Sequence, residues 1–436
     1  MSTQPIAIFW FRRDLRFEDN AGLYHALQGD LPVLPLFIFD TKILDDLEVK
    51  HDARVMFLHD TLTAMHQRLG DKGSSLLIKH GVPQDMWKEI LKEYPVKAVY
   101  TNHDYEPYAK ERDEAVRELL AERDVSFQTF KDQVIFEKDE IMTKSGGFYK
   151  VFTPYKKAWL DKLDDAMLES YTSGLRFDNW YQTAPIPMPS LQDLGFERAD
   201  IEIPPNRIDE DVIDHYQKKR DYPAQDGTTR LGVHLRHGTL SIRKLARAAR
   251  DINATYLSEL IWREFYMQVL YHAPQVVDTS FKPKYDNIPW RNDEDDFQRW
   301  CEGQTGYPIV DAGMRELNKN GYMHNRVRMI AASFLTKHLL IDWRWGEAYF
   351  GQKLLDYELA NNNGGWQWSA GSGVDAQPYF RVFNPYSQAK KFDNAEEYIR
   401  KWVPEYGTDD YPEPMVDHQE ARERAIQTFK EALNNN

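Results

Sequence analysis

Hydrophobic residues follow two rhythms along this chain. Up to about residue 132, short apolar runs alternate with amphipathic stretches. Ile6–Phe11, Val33–Phe39, Leu76–Ile78 and Val96–Tyr100 are predicted to be buried strands. Between the second and third runs, Val55, Leu58, Leu62, Met65 and Leu69 recur at helical spacing before Gly70, a predicted stop. The alternation predicts an α/β domain over 1–132, a doubly wound, Rossmann-like parallel sheet with helices on both faces. Over 133–205 the rhythm is lost. FYKVFTPYKKAW (Phe148–Trp159) is followed by the proline-rich TAPIPMPS (Thr183–Ser190) and IEIPPN (Ile201–Asn206), which predicts a long interdomain linker. Over 206–436 strand signals vanish and helical periods take over, predicting an all-α domain.

Composition narrows the class. A chain of 436 residues is long for one core, so two domains are expected. A single cysteine, Cys301, rules out an intrachain disulfide and a Cys-rich zinc site. This fits a reducing cytoplasm. The apolar run near the N-terminus is too short for a signal peptide or a membrane span, so a soluble, cytoplasmic protein is expected. A net charge of -14 opposes indiscriminate polyanion binding, yet Tyr216–Arg250 carries nine Lys/Arg against two Asp. That stripe is either a solvated helix face or the edge of a nucleic-acid groove.

Several stretches carry candidate chemistry. The first predicted strand runs into FRRDLRFEDN (Phe11–Asn20) and not into G-x-G-x-x-G, so the usual dinucleotide fingerprint is absent. Its three Arg could bind an anion; the favoured reading pairs them with Asp14, Glu18 and Asp19 to fasten the sheet to another domain. DGTTRLGVHLRHG (Asp226–Gly238) sets Thr228, Thr229 and Arg230 ahead of a predicted helix, where hydroxyls and free N–H groups suit phosphate or merely cap the helix. In YLSELIWREFYMQVL, Glu259, Trp262, Arg263 and Tyr266 share one helical stripe that is either chemical or a surface ion pair beside a half-buried indole. Asn325 and Met329 share a face in YMHNRVRMI, flanked by Arg326 and Arg328. His234, His237 and His324 lack partners at ligand spacing, so no metal is expected. Finally, DYELANNNGGWQWSAGSGVDAQPYFRVFNP (Asp356–Pro385) has Asp375 as the only charge between Ala360 and Arg381. Its Asn–Gly run disfavours an ordinary helix and predicts a close backbone approach, with Trp366 and Trp368 either stacking on a planar ligand or forming a buried corner.

Taken in order, FWFRRDLRFEDN, DGTTRLG, ELIWREFY, TGYPIVDAGMREL, MHNRVRM, IDWRWGE and NNNGGWQW resemble the photolyase/cryptochrome family, closest to its class I cyclobutane pyrimidine dimer photolyases. The resemblance spans nearly the whole chain. It implies an antenna-binding α/β domain and a helical domain that holds FAD, used as FADH⁻. Tyr216, Thr228, Thr229, Arg230 and Leu231 would meet its phosphates and ribityl chain, with Gly232 standing where many relatives have serine. Asp356 and Glu358 match an acidic pair beside the ribityl and ribose groups, Arg328 would pair with Asp356, and Asn362 falls opposite flavin N5. Glu259, Trp262, Asn325, Met329 and Trp368 match the lesion pocket, with Glu259 protonated to donate to a thymine carbonyl. Arg263, Arg326 and Arg381 would hold DNA phosphates, with the basic stripe at the rim. Trp366, Trp343 and Trp290 match the chain of indoles that reduces the flavin in light.

The implied activity is light-driven repair of cyclobutane pyrimidine dimers in DNA by electron transfer from excited reduced FAD to a flipped-out dimer, by a protein expected to be monomeric. Glu106 matches a contact to an antenna pigment, which could be methenyltetrahydrofolate, deazaflavin or a second flavin. Two rivals stand beside this reading. A (6-4) photolyase has two histidines where this chain has Asn325 and Met329. A cryptochrome photoreceptor more often lacks an Asn362 equivalent or carries a long C-terminal extension.

Overall fold

The computed structural model describes residues 4–175 and 177–434. They form two compact units. The first comprises Met1–Glu137, Leu163–Arg207 and Leu231–Ala248; the second comprises Lys138–Lys162, Ile208–Arg230 and Ala249–Asn436. The segment read as a linker is thus shared between them.

In the first unit five parallel strands, β1 (Ile6–Phe11), β2 (Val33–Asp40), β3 (Leu77–Gly81), β4 (Val96–Asn102) and β5 (Ser126–Phe130), lie in the order β3-β2-β1-β4-β5. Every residue of β1 and β2 is buried, which is why their sequences are apolar up to Asp40 at the end of β2 and do not alternate. The strand β5 was not anticipated. It is a half-exposed edge whose sequence, SFQTF, carries no apolar run. The helix Ala53–Gly70 follows the expected period, burying Val55, Leu62, Met65 and Leu69.

The arginines after β1 serve the fold, chiefly through acids farther along the chain, while Arg16 also donates to the Asp19 carbonyl. Arg12 meets Asp113, Arg13 meets Asp104 at 3.2 Å and Glu106 at 2.9 Å, and Arg16 meets Asp132 at 2.7 Å. Asp14 instead accepts the Arg12 N–H, and Glu18 pairs with Arg68. Arg243 completes the cluster, 2.9 Å from Asp19 and 2.7 Å from Asp132. The basic stripe is divided between the two units; within it Arg236 is paired with Glu106, and Arg243 is buried.

The second unit is helical. Lys138–Lys162 belongs to it because its side chains fasten onto the helix Ala254–His272: the Trp159 Nε1–H donates to Glu264 at 2.6 Å, and Phe148 stacks on His272. A large core around Trp300, Met314, Val327, Phe334, Leu335 and Trp366 underlies the helices that carry the site. Among the described residues no helix is long and apolar enough to cross a membrane.

The buried cluster makes a stability prediction. Burial works to raise the Asp132 pKa, but Arg16 and Arg243 outweigh it and hold the carboxyl below its ordinary 3.8. Replacing Arg243 by Met removes one guanidinium from two buried carboxylates, leaving Asp132 with Arg16 and depriving Asp19 of its ion pair with Arg243, and should cost about 3 kcal/mol in urea unfolding at pH 7. A carboxyl with a lowered folded pKa stabilises above its unfolded value and loses that contribution as pH falls through the folded one. The gap between wild type and Arg243→Met should therefore narrow below pH 3.8.

Candidate active site

The helix Ala254–His272 starts at Asn253, whose side chain accepts the N–H groups of Thr255 and Tyr256. Its stripe of Glu259, Trp262, Arg263 and Tyr266 lines a cavity of about 400 Å³. Tyr216, Asn325, Arg328 and Met329 line the same cavity, as do Asp356, Glu358, Asn362, Trp366 and Trp368. Residues far apart in sequence are thereby brought to one place.

Their charges are arranged in pairs. Arg328 makes a two-toothed contact to Asp356 at 2.9 and 3.1 Å and also donates to the Met323 carbonyl. Arg263 lies 3.5 Å from Glu358, which is itself buried. Glu259 meets the guanidinium of Arg220, a residue not singled out in the sequence. The N–H donor beside Glu259 at this spot is Arg220.

The Asn–Gly run is the main local correction. Leu359–Ala370 is an unbroken α-helix, in spite of three Asn and two Gly. Tertiary packing overrides propensity because the backbone must come close to its neighbours. A Cβ on Gly364 would sit 2.2 Å from the Tyr266 ring, whereas one on Gly365, which lines the cavity, would meet nothing within 4 Å. On the facing helix Trp343–Lys353, a Cβ on Gly346 would lie 2.1 Å from Trp366.

Asn362 is held by a partner that sequence reasoning passed over. Its Nδ2 donates to Glu347 Oε1 at 2.8 Å and to the Glu347 carbonyl at 3.0 Å. With the nitrogen engaged there, the amide oxygen is the atom left to serve the cavity. Burial pushes the Glu347 carboxyl up to about 7, a shift that the Asn362 hydrogen bond moderates. The available signal was its place four residues after Trp343, on the same helix face.

Other expected residues lie outside the cavity lining. The short helix Gly232–His237 begins after Leu231, and the threonines do not cap it. Instead the Thr228 hydroxyl is 3.1 Å from Tyr322 Oη and that of Thr229 is 2.8 Å from Tyr256 Oη, while Arg230, at φ +51°, lies over the Tyr322 ring. Leu231 belongs to the first unit. Arg326 is paired with Asp221 at 2.7 Å and covers Phe392. Arg381 is exposed, beside exposed Phe380. Trp343 is buried, and Trp290 packs against Phe429. The indole next to Trp366, with ring centroids 6.0 Å apart, is Trp300. In the first unit Glu106 precedes the helix Pro107–Ala121 and is clasped by Arg13 and Arg236. Among the described residues no group of three or more His, Cys, Asp or Glu is arranged to hold a metal.

Comparison with known proteins agrees with this architecture. Residues 7–172 match the sequence model of DNA photolyase, and residues 256–409 match that of the FAD binding domain of DNA photolyase. The deoxyribodipyrimidine photo-lyase of Halobacterium salinarum is 39% identical, over 98% of this chain and 99% of its own. A class III photolyase from Agrobacterium tumefaciens superposes with a TM-score of 0.87 at 32% identity, covering 99% of this chain and 98% of its own. An archaeal photolyase from Sulfolobus tokodaii, described with two FAD molecules, gives 0.84 at 35% identity, covering 97% and 99%. This chain belongs to the DNA photolyase family, and its helical unit carries that family's FAD-binding domain.

The residues fit that cofactor. The space left by the missing Gly365 Cβ lets a flat group approach the backbone, and the lining offers paired guanidinium and carboxylate groups, an oriented amide and indoles. The two glycines should respond differently to alanine. Gly364→Ala forces Tyr266 out of place and should lower the melting temperature and the flavin content, at a stability cost of about 1–3 kcal/mol. Gly365→Ala should leave the flavin-free protein as stable as wild type or more stable by about 1 kcal/mol, read as an unchanged or slightly higher melting temperature, while still reducing flavin uptake measured by absorbance.

Proposed function

We propose that this protein repairs cyclobutane pyrimidine dimers in DNA, using light absorbed by bound reduced FAD. The observation that carries this reading is the single cavity in which Arg328, Asp356 and Asn362 face the same space as Glu259, Trp262, Asn325, Met329 and Trp368. When bound, FAD supplies light absorption and the electron. The chain supplies binding and orientation. Asp356 and Glu358, each held by an arginine, would receive the ribityl and ribose groups, with Tyr216 beside them. Thr228, Thr229 and Arg230, with Leu231, would take the phosphates. Glu347 would keep the Asn362 oxygen available as an acceptor for an N–H of the reduced ring.

A dimer is non-planar and poorly stacked, so it leaves the duplex at lower cost than a normal base. Trp262 and Trp368 would pack on its apolar faces, and Asn325 and Met329 would line its side. The Arg220–Glu259 pair would offer N–H groups to its carbonyls. Arg263, Arg326 and Arg381 would engage flanking phosphates. Trp366, Trp343 and Trp290 would carry electrons inward when the flavin is oxidised. An antenna pigment near Glu106 and action as a cytoplasmic monomer complete the proposal. The two non-imidazole side chains at Asn325 and Met329 favour this chemistry over that of the (6-4) enzymes, and the oriented Asn362 favours repair over signalling.

Illuminating reduced, flavin-loaded protein with dimer-containing DNA should restore the thymine absorbance band. The Glu259→Ala, Trp262→Ala double variant should lose this recovery. No recovery in a flavin-loaded, reduced wild type would reject repair and bring the photoreceptor reading forward. Separately, Trp366→Phe should abolish most photoreduction of oxidised flavin yet leave repair by pre-reduced protein; unaltered photoreduction would remove Trp366 from the electron path.

A further inference from the structure

We propose that Phe152 and Asp375 are positioning residues for Trp262, fixing the plane in which its indole meets the lesion; this rests on the pocket reading above. The Phe152 ring lies parallel to the Trp262 ring, with centroids 3.6 Å apart and planes 9° from each other. Phe265 meets both rings edge-on, at 5.8 Å from Phe152 and 5.5 Å from Trp262. An indole has two faces. Phe152, buried, occupies one, so a stacked ligand must use the other, and Trp262 lines the cavity.

Phe152 is itself fixed from two sides. It opens the helix Phe152–Lys162, and its N–H donates to Asp375 Oδ2 at 3.0 Å. A carboxylate at the start of a helix satisfies a donor that the helix cannot and faces the positive end of its dipole. Further along, Tyr155 packs on Phe265 and Trp159 is bonded to Glu264, so the helix is held along its length against 254–272. Asp375 adopts φ +47° and is the only charged side chain between Ala360 and Arg381, within the stretch that follows the Asn–Gly helix. The segment read as a linker and the loop after the site helix thus join behind the indole. Without the phenyl ring Trp262 gains rotamer freedom that substrate binding must then remove.

The test measures binding in the dark. Flavin-loaded protein is titrated with a labelled oligonucleotide holding one cyclobutane thymine dimer, and with the same oligonucleotide undamaged. Phe152→Leu should weaken damaged-DNA binding about fivefold to tenfold, leaving binding of undamaged DNA and flavin content unchanged. Phe152→Tyr, which keeps the ring, should retain wild-type affinity, and Asp375→Asn should weaken damaged-DNA binding in the same direction as Phe152→Leu. Added to Trp262→Ala, Phe152→Leu should cause no further loss, since the ring it positions is gone. Wild-type affinity in Phe152→Leu, or a loss that adds to that of Trp262→Ala, overturns the positioning role while the pocket stands. Unchanged binding in Trp262→Ala overturns the pocket reading itself. If Phe152→Leu loses flavin, Asp375→Asn and its combination with Trp262→Ala decide by the same criteria.

Discussion

Close backbone approach at the helix Leu359–Ala370 is the constraint on which the site depends. Tyr266 can occupy its place only because Gly364 has no Cβ, and Trp366 only because Gly346 has none. At this separation three helices and two aromatic rings interlock with no room for a methyl group. The helix is then tied at its far end, where Lys337 donates to the Ala370 carbonyl at 2.6 Å and Lys282 to that of Gly371 at 3.2 Å. Its inner face is free to present Asn362 and Trp368 to the cavity at fixed height. Preorganisation of this kind suits a site that binds and orients a cofactor.

Charge is used differently in the two units. In the first, Arg16, Arg243, Asp19 and Asp132 are buried together and satisfy one another, so that strand, loop and the 231–248 segment are locked by long-range ion pairs. In the second, the pairs Arg220–Glu259, Arg263–Glu358 and Arg328–Asp356 ring the cavity. Each guanidinium there is held by a carboxylate, so the side chains are oriented before any ligand arrives. Glu347 is the exception: burial raises its carboxyl well above the usual carboxylate range, next to the amide that serves the cavity.

The aromatic residues divide in the same way. Trp300, Trp343 and Trp366 are closed into the helical core, where they contribute large apolar area. Trp262 and Trp368 are only partly buried and stand at the cavity wall. The difference is one of position, since the residue type is the same, and Trp366 belongs to both groups by being buried and still touching the cavity.

Much of this was legible in the sequence because it follows from period and order. Fully apolar runs identified β1 and β2, the 3.6-residue stripe of Glu259, Trp262, Arg263 and Tyr266 placed those side chains on one face, and seven motifs in order identified the family. What the sequence could not contain was distance between remote segments. It placed the arginines of FRRDLRFEDN beside adjacent acids, where the fold reaches Asp113, Asp104 and Asp132. It read the Asn–Gly run as a break in helix, because propensity is local and the Tyr266 ring that demands glycine at 364 arrives from elsewhere. It treated 138–162 as linker, although Phe152, Trp159 and Gln268 make it part of the helical unit. Residue type and periodicity therefore determined which faces are apolar and which residues carry chemistry. Tertiary packing alone decided their partners, because a buried charge, amide or ring is fixed by whatever comes within a few ångströms of it in the folded chain.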